Sequence, residues 1–457
     1  MRLPVLLAVL LGGCASLPAP PSGDYRYVVL GEQGAATVRV LTAAASCPLI
    51  EVDGRSVPMQ LRAAPAVLPA RPSVMPDSPP AAFPLRTCEA PLPLGARQAS
   101  VGGQALPLPA AQPTRLVVLG DSGCRLSSKD AAWQACNDAQ EFPFATVAAS
   151  IARWKPDLII HVGDYLYRES ACPPGQAGCA GSPWGYGWDS WEADFFAPAR
   201  PLLAAAPLVA ARGNHELCTR GGQGYWRLLD PRPLLPGRDC VDPAQDQRGN
   251  HGAPYAVPLG GGAQLVVLDT AANVSKGYAE GDWRPAAIAE DIGTLEALSE
   301  QAEHTLAVLH HPPLSVGGET KHGKVSYFNG DRGMQQALAR WSPALLPPRV
   351  QALLSGHTHM WQQASYATPH PSQFVVGFAG TQEDIVPLPD PLPPGLEPGA
   401  GARFAEFAAW VGGFGFMTME RRGPDRWDIT VMDRHGQPVN HCQLSGRQSH
   451  CAHARGP

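Results

Sequence analysis

The sequence predicts an α/β protein of the α+β sandwich type, with central β-sheets flanked by helices and a small β-rich domain in front. Two observations set the α/β core. From Arg115 onward, brief continuous apolar runs recur at Leu116–Leu119, Leu158–Val162, Leu208–Ala211, Leu265–Leu268, Leu306–Leu309 and Val350–Leu354, the pattern of strands buried on both faces. Between several of them lie stretches with helical spacing, Phe142 to Trp154, Ile288 to Ala302 and Met334 to Trp341, and such alternation implies a partly parallel sheet. A third observation sets the region in front apart: before Pro113 there is no helix-period stretch of useful length, only short β-prone segments bounded by Gly.

In chain order, Met1, Arg2 and the apolar stretch Leu3 to Leu11 form a positive n-region and an h-region too short to span a bilayer. That is an export signal over residues 1–13. Leu11-Gly12-Gly13-Cys14 resembles a bacterial lipobox, which implies a membrane anchor through lipid on Cys14 and a place in the bacterial periplasm or outer membrane. After a Pro-rich tether, Tyr25–Leu30 and Ala36–Val40 open the β-rich domain, expected over residues 24–110 as a sandwich with a Pro/Ala loop between Ala63 and Pro84. The larger α/β domain is expected over 113–457. It ends in β structure, since Trp427-Asp428-Ile429-Thr430-Val431-Met432 alternates like a half-buried antiparallel strand.

With 44% apolar residues in 457, burial does not limit folding. A net charge of -5 and no long basic run exclude a surface that tracks a nucleic-acid backbone. Apart from Cys14 there are ten cysteines, an even number that suits an oxidising compartment. Neighbouring pairs (Cys47/Cys88, Cys124/Cys136, Cys172/Cys179, Cys218/Cys240, Cys442/Cys451) would each staple one local loop, although sequence leaves the connectivity open.

Five polar clusters follow five of the apolar runs: Gly120-Asp121-Ser122-Gly123, Gly163-Asp164-Tyr165-Leu166-Tyr167, Gly213-Asn214-His215-Glu216, Val308-Leu309-His310-His311 and Gly356-His357-Thr358-His359. Ligand sites of α/β folds gather outside the carboxyl ends of the strands. These clusters supply the oxygen and nitrogen donors that a hard or borderline metal prefers. If one carboxylate bridges, seven ligands suffice for two ions. The Val-x-x-His spacing selects His311 over His310.

The five clusters, in this order, resemble the motif set of the calcineurin-like metallophosphoesterases, and within them the purple acid phosphatases. The resemblance runs from about Arg115 to Phe378. It implies a metallophosphoesterase domain and two metal ions, Fe3+ plus a divalent ion (Fe2+, Zn2+ or Mn2+). Asp121, Asp164, Tyr167 and His359 would hold the first, and Asp164, Asn214, His311 and His357 the second. Many family members have Asp-x-His in the first motif, where this chain has Asp121-Ser122-Gly123. Tyr167, a hard anionic donor once ionised, would replace the missing ligand.

The implied activity is hydrolysis of phosphate monoesters by a metal-bound hydroxide attacking in line. His215 would contact the phosphoryl group or protonate the leaving alkoxide, with Glu216 orienting it. His322, in a Gly-bracketed loop, is a further substrate-facing candidate, and Lys321 or Lys324 would add charge at the same rim. The aromatic loop Trp184 to Trp191 either walls the cleft or packs beneath it. The remaining isolated histidines, His251 among them, read as surface or hydrogen-bonded residues. Two rivals share the motifs: a phosphodiesterase on the same metals, and a catalytically silent surface lipoprotein. Gly-Asp-Ser-Gly also occurs around the nucleophile of chymotrypsin-like proteases, but the first His of the chain is His161, whereas that order needs its His before the Ser.

Overall fold

A computed structural model describes residues 24–453 apart from 72–74, 76, 322, 343–344 and 383–384. The export signal, Cys14 and His322 lie outside the described residues.

Three apolar runs become neighbouring parallel strands, Arg115–Leu119, Leu158–His161 and Leu208–Ala210, inside an eleven-stranded sheet. Three others are parallel neighbours in a seven-stranded sheet, Ala263–Val267, His304–Val308 and Val350–Ser355, with Ser372–Val376 parallel beside the last. Leu116 and Val118 point into the core shared by the two sheets, together with Ile160, Leu306 and Leu354. Val117, Leu119 and Ile159 point the other way, into a second core with helical residues. Ala307, Leu309 and Leu353 do the same on the far side. A strand covered on both faces has no polar face to alternate with, hence the unbroken runs.

The helices close the outer layers. Phe144–Trp154 buries Phe144, Val147, Ala148 and Ile151, one face at helical spacing, and ends on Lys155 in the left-handed region. Arg284–Ser299 buries Ile288, Ile292 and Leu295. Arg332–Ala339 begins at Asp331, whose side chain accepts from the Met334 N–H, an N-cap. At the C-terminus, Gly415–Arg421 pairs antiparallel with Arg115–Leu119, and Arg426–Asp433 and Pro438–Ser445 follow in the same sheet. Trp427, Ile429 and Val431 face the core between the sheets.

The N-terminal stretch is β-rich, and several of its strands are continuous with the large sheet. Tyr25–Leu30 joins Leu208–Ala210 in parallel through Val29↔Leu208, and Ala36–Thr42, Arg86–Leu92 and Gln60–Ala63 extend the same large sheet. Both faces of Tyr25–Leu30 are apolar: Val28 enters the inter-sheet core and Tyr27 and Val29 the helix-side core. Leu49–Val52, Arg55–Pro58, Ala99–Val101 and Gln104–Ala105 make a separate four-stranded sheet. Within the Pro/Ala loop, Ala66–Leu68 pairs with Ala81–Phe83.

All five neighbouring cysteine pairs are disulfides. Among the described residues, no helix is long and apolar enough to cross a membrane.

Candidate metal centre

Each of the five clusters leaves the carboxyl end of a strand, three of them neighbours in the eleven-stranded sheet and two neighbours in the seven-stranded sheet. Asp121, Asp164 and His357 all turn with positive φ, at 54°, 60° and 70°, a region that costs a non-glycine residue strain and is found most often at functional sites. Glycine is needed beside them. Gly163 has φ 105°, and a Cβ on Gly213 would collide with the Asp164 carboxylate and backbone.

Tyr167 Oη lies 2.8 Å from Asp121 Oδ1, 2.9 Å from Asp164 Oδ2 and 3.1 Å from His359 Nε2. His359 Nδ1 rests on the Gln382 carbonyl at 3.0 Å, and Nε2 is 3.5 Å from Asp121 Oδ1. With Nδ1–H donating to that carbonyl, Nε2 carries a lone pair. Two carboxylates, an imidazole lone pair and a phenol then meet with one hydroxyl proton among them.

Beside this group, His310 Nε2 lies 3.0 Å from Asp164 Oδ2 and 3.1 Å from Asn214 Oδ1, and His357 Nδ1 is 2.9 Å from the same Asn214 oxygen. His310 Nδ1 is fixed on the Val162 carbonyl at 2.9 Å. The motif spacing favoured His311. His311 Nδ1 lies 3.3 Å from Thr270 Oγ1, and its ring is 4.3 Å from that of His357. Possible ligand atoms of Asp121, Asp164 and His310 lie within 4.8 Å of one another, as do those of His310, His311 and His357.

The electrostatics fit cations at this place. Burial alone would raise Asp164, yet the charge of His310, with that of His215, holds its carboxyl well below the usual range. Burial alone would lower His310, but Asp164 above all brings it up to about 9. Burial, then the charges of Asp121 and Asp164, push the Tyr167 phenol well above its ordinary value.

His215 lies against the Tyr167 ring, centroids 3.8 Å apart, with Nδ1 3.1 Å from the Leu166 carbonyl. Burial and the Arg220 charge hold it well below its usual pKa. Its partner is not Glu216. Glu216 accepts from the backbone N–H groups of Asp164, Tyr165 and Gly213 at 2.8–3.0 Å, which ties the Asp164 and Asn214 loops together. Arg220 takes the expected place: one guanidinium nitrogen is 2.7 and 2.8 Å from the two ring nitrogens of His215, and Glu169 holds the guanidinium in turn. A cleft of ≈ 400 Å³ opens over Asp164, Tyr167, Asn214, His215, His357 and His359. Trp188 and Trp191 pack in the helix-side core and do not line it. Ser122 does meet His161, Oγ to Nε2 at 3.0 Å, but both are 0% exposed, out of reach of any substrate.

The family description "Calcineurin-like phosphoesterase" matches residues 114–361, more than half of the 457-residue chain. The chain belongs to this family. As a calcineurin-like phosphoesterase it is a metal-dependent phosphoric ester hydrolase with a dinuclear metal site. Among solved structures, purple acid phosphatase PPD1 from yellow lupin (Lupinus luteus) seeds is similar with a TM-score of 0.54 at 13% identity, over 92% of this chain and 74% of that one. PhoD is similar with a TM-score of 0.49 at 11% identity, over 94% and 91%. At such identities the first likeness is one of fold. Among curated proteins none matches.

Proposed function

We propose that this calcineurin-like phosphoesterase is a phosphomonoesterase of purple-acid-phosphatase type, with Fe3+ beside a divalent ion, Fe2+, Zn2+ or Mn2+. The observation that carries the reading is the placement of Tyr167 Oη within 3.1 Å of Asp121, Asp164 and His359, since a phenolate is a hard anionic donor suited to a trivalent ion. Asp121, Asp164, Tyr167 and His359 would hold the first ion. Asp164, Asn214, His310 and His357 would hold the second, with His310 in place of His311 because its Nε2 faces Asp164 and Asn214. Bound there, the pair supplies Lewis acidity and an activated water. The protein's part is to orient: Asp164 lies between the two ligand groups, Val162 and Gln382 fix the tautomers of His310 and His359, and His215, held by Arg220, presents its ring to the phosphoryl group in the cleft. The five disulfides fit an exported protein. Taken with the Leu11–Cys14 segment, they support a periplasmic or outer-membrane lipoprotein.

Metal analysis paired with a visible spectrum tests this reading. The purified holoprotein should contain iron and show a tyrosinate-to-iron absorption band that Tyr167→Phe removes. A colourless, fully active dizinc enzyme would sink the iron assignment and leave the phosphoesterase intact. Turnover of aryl monoesters should exceed that of aryl diesters, and the reverse order would make the protein a phosphodiesterase.

A further inference from the structure

We propose that Asp194 is a positioning residue that fixes the backbone carrying Asp121 and Tyr167, and thereby sets the site of the first ion; the inference rests on the ligand reading above. Asp194 is 0% exposed and lies in a short π-helical turn, Glu192–Phe196, a form of helix often found at functional sites. Its neighbours Trp191, Phe195 and Phe196 are buried in the helix-side core, so the turn is anchored and the carboxylate has one direction to go.

Its two oxygens divide the work. Oδ2 accepts from the backbone N–H groups of Tyr167, at 2.7 Å, and Arg168, at 3.1 Å. Oδ1 accepts from the backbone N–H of Cys124, at 3.0 Å, and from Arg168 Nε, at 2.6 Å. Cys124 belongs to the loop that carries Asp121, and Tyr167 to the loop that carries Asp164. Backbone bonds from Ser122 N to Asp164 O and from Leu126 N to Tyr167 O, both 3.0 Å, join the flanks of these loops. Between these bonds the Cys124 N–H turns on Asp194, while those of Arg125 and Tyr165 go to Gln134 and Glu216. Gly123 is part of the same arrangement: a Cβ there would stand 2.8 Å from both Asp194 Oδ2 and Tyr167 N. The glycine of the first cluster, which holds no ligand, leaves room for the carboxylate.

A carboxylate buried this deeply is costly unless its lone pairs are filled and its charge is met. Three backbone N–H groups and the Arg168 guanidinium do both. An amide cannot replace it. Whichever oxygen becomes NH2, two donors then face a donor, and either Cys124 or Tyr167 is released.

Asp194→Asn, loaded with iron and the divalent ion, provides the test beside wild type. Iron affinity should fall about 10- to 100-fold, the usual loss when an outer support of a metal ligand is removed. The tyrosinate-to-iron band should shift or weaken, kcat should fall with little change in KM, and the divalent ion should be retained. Wild-type iron affinity and an unmoved band in a folded Asp194→Asn protein overturn the inference. A wild type with neither iron nor band overturns the underlying ligand reading instead, so the two failures are distinct. If Asp194→Asn does not fold, hydrogen exchange in chelator-treated wild type decides: the Cys124, Tyr167 and Arg168 amides should be protected, and exchange at free-peptide rates overturns the inference.

Discussion

His310 and His311 are adjacent, equally buried and chemically identical, and only their partners separate them. One ring is held by the Val162 carbonyl with its other nitrogen on Asp164 and Asn214; the other turns to Thr270. His310→Ala should therefore cost about two orders of magnitude or more in kcat, with loss of the second ion, since a bound ion is worth several kcal/mol of transition-state stabilisation. His311→Ala should retain that ion. Assays beside metal analysis check both, and the opposite ranking would return the ligand role to His311. Asp121, Asp164, Asn214, His357 and His359 were legible as candidates because donors of the right type stand next to glycines at strand ends. The contact that separates the two histidines was not, because it comes from a carbonyl about 150 residues earlier in the chain. Thr270, Arg220 and Asp194 were missed for the same reason: each acts through a contact from another element, and none stands in a cluster of metal donors.

Elements were more legible than their partners. Apolar runs marked the parallel strands and helical spacing marked three helices, with boundaries that differ by a few residues. Pairing is another matter: nothing in Tyr25–Leu30 names Leu208 as its neighbour. The helix Arg284–Ser299 shows how such distant partners affect stability. His251 Nε2 lies 3.1 and 3.0 Å from the two carboxylate oxygens of Asp291 on that helix. The hydrogen bond to Asp291 raises His251 above its ordinary 6.5, while burial pushes the Asp291 carboxyl up. A raised folded pKa means that protonation favours the fold, so this contribution is fully present below 6.5 and is lost as pH climbs through the folded pKa of His251. In thermal melts the advantage of wild type over His251→Gln should be present near about pH 6 and shrink with each step upward. An advantage that grows with pH would refute the sign.

Across the whole molecule, the N-terminal strands and the catalytic core are joined by buried arginines. Arg39 donates to the carbonyls of Leu228 and Asp230 and to Glu89, at 2.9, 2.7 and 3.0 Å, and Arg62 reaches Trp226, Arg232 and Glu89. Arg39→Met would take one donor from each of two carbonyls and from Glu89, which keep bonds from Tyr27 and Arg62, at a cost of roughly 1–3 kcal/mol. Urea unfolding should show that loss in a single transition, followed alike by activity and by fluorescence; two separate transitions would mean that the regions unfold independently. The disulfides carry a consequence of another kind. From Cys47 on, every cysteine is bonded to the next one in the chain, with separations of 41, 12, 7, 22 and 9 residues, and no bond encloses or crosses another. For a chain that emerges N-terminus first into an oxidising space with Cys14 taken up by lipid, joining each free thiol to the next one to appear makes every native bond in order. An oxidase then suffices, and no isomerase has a wrong pairing to undo.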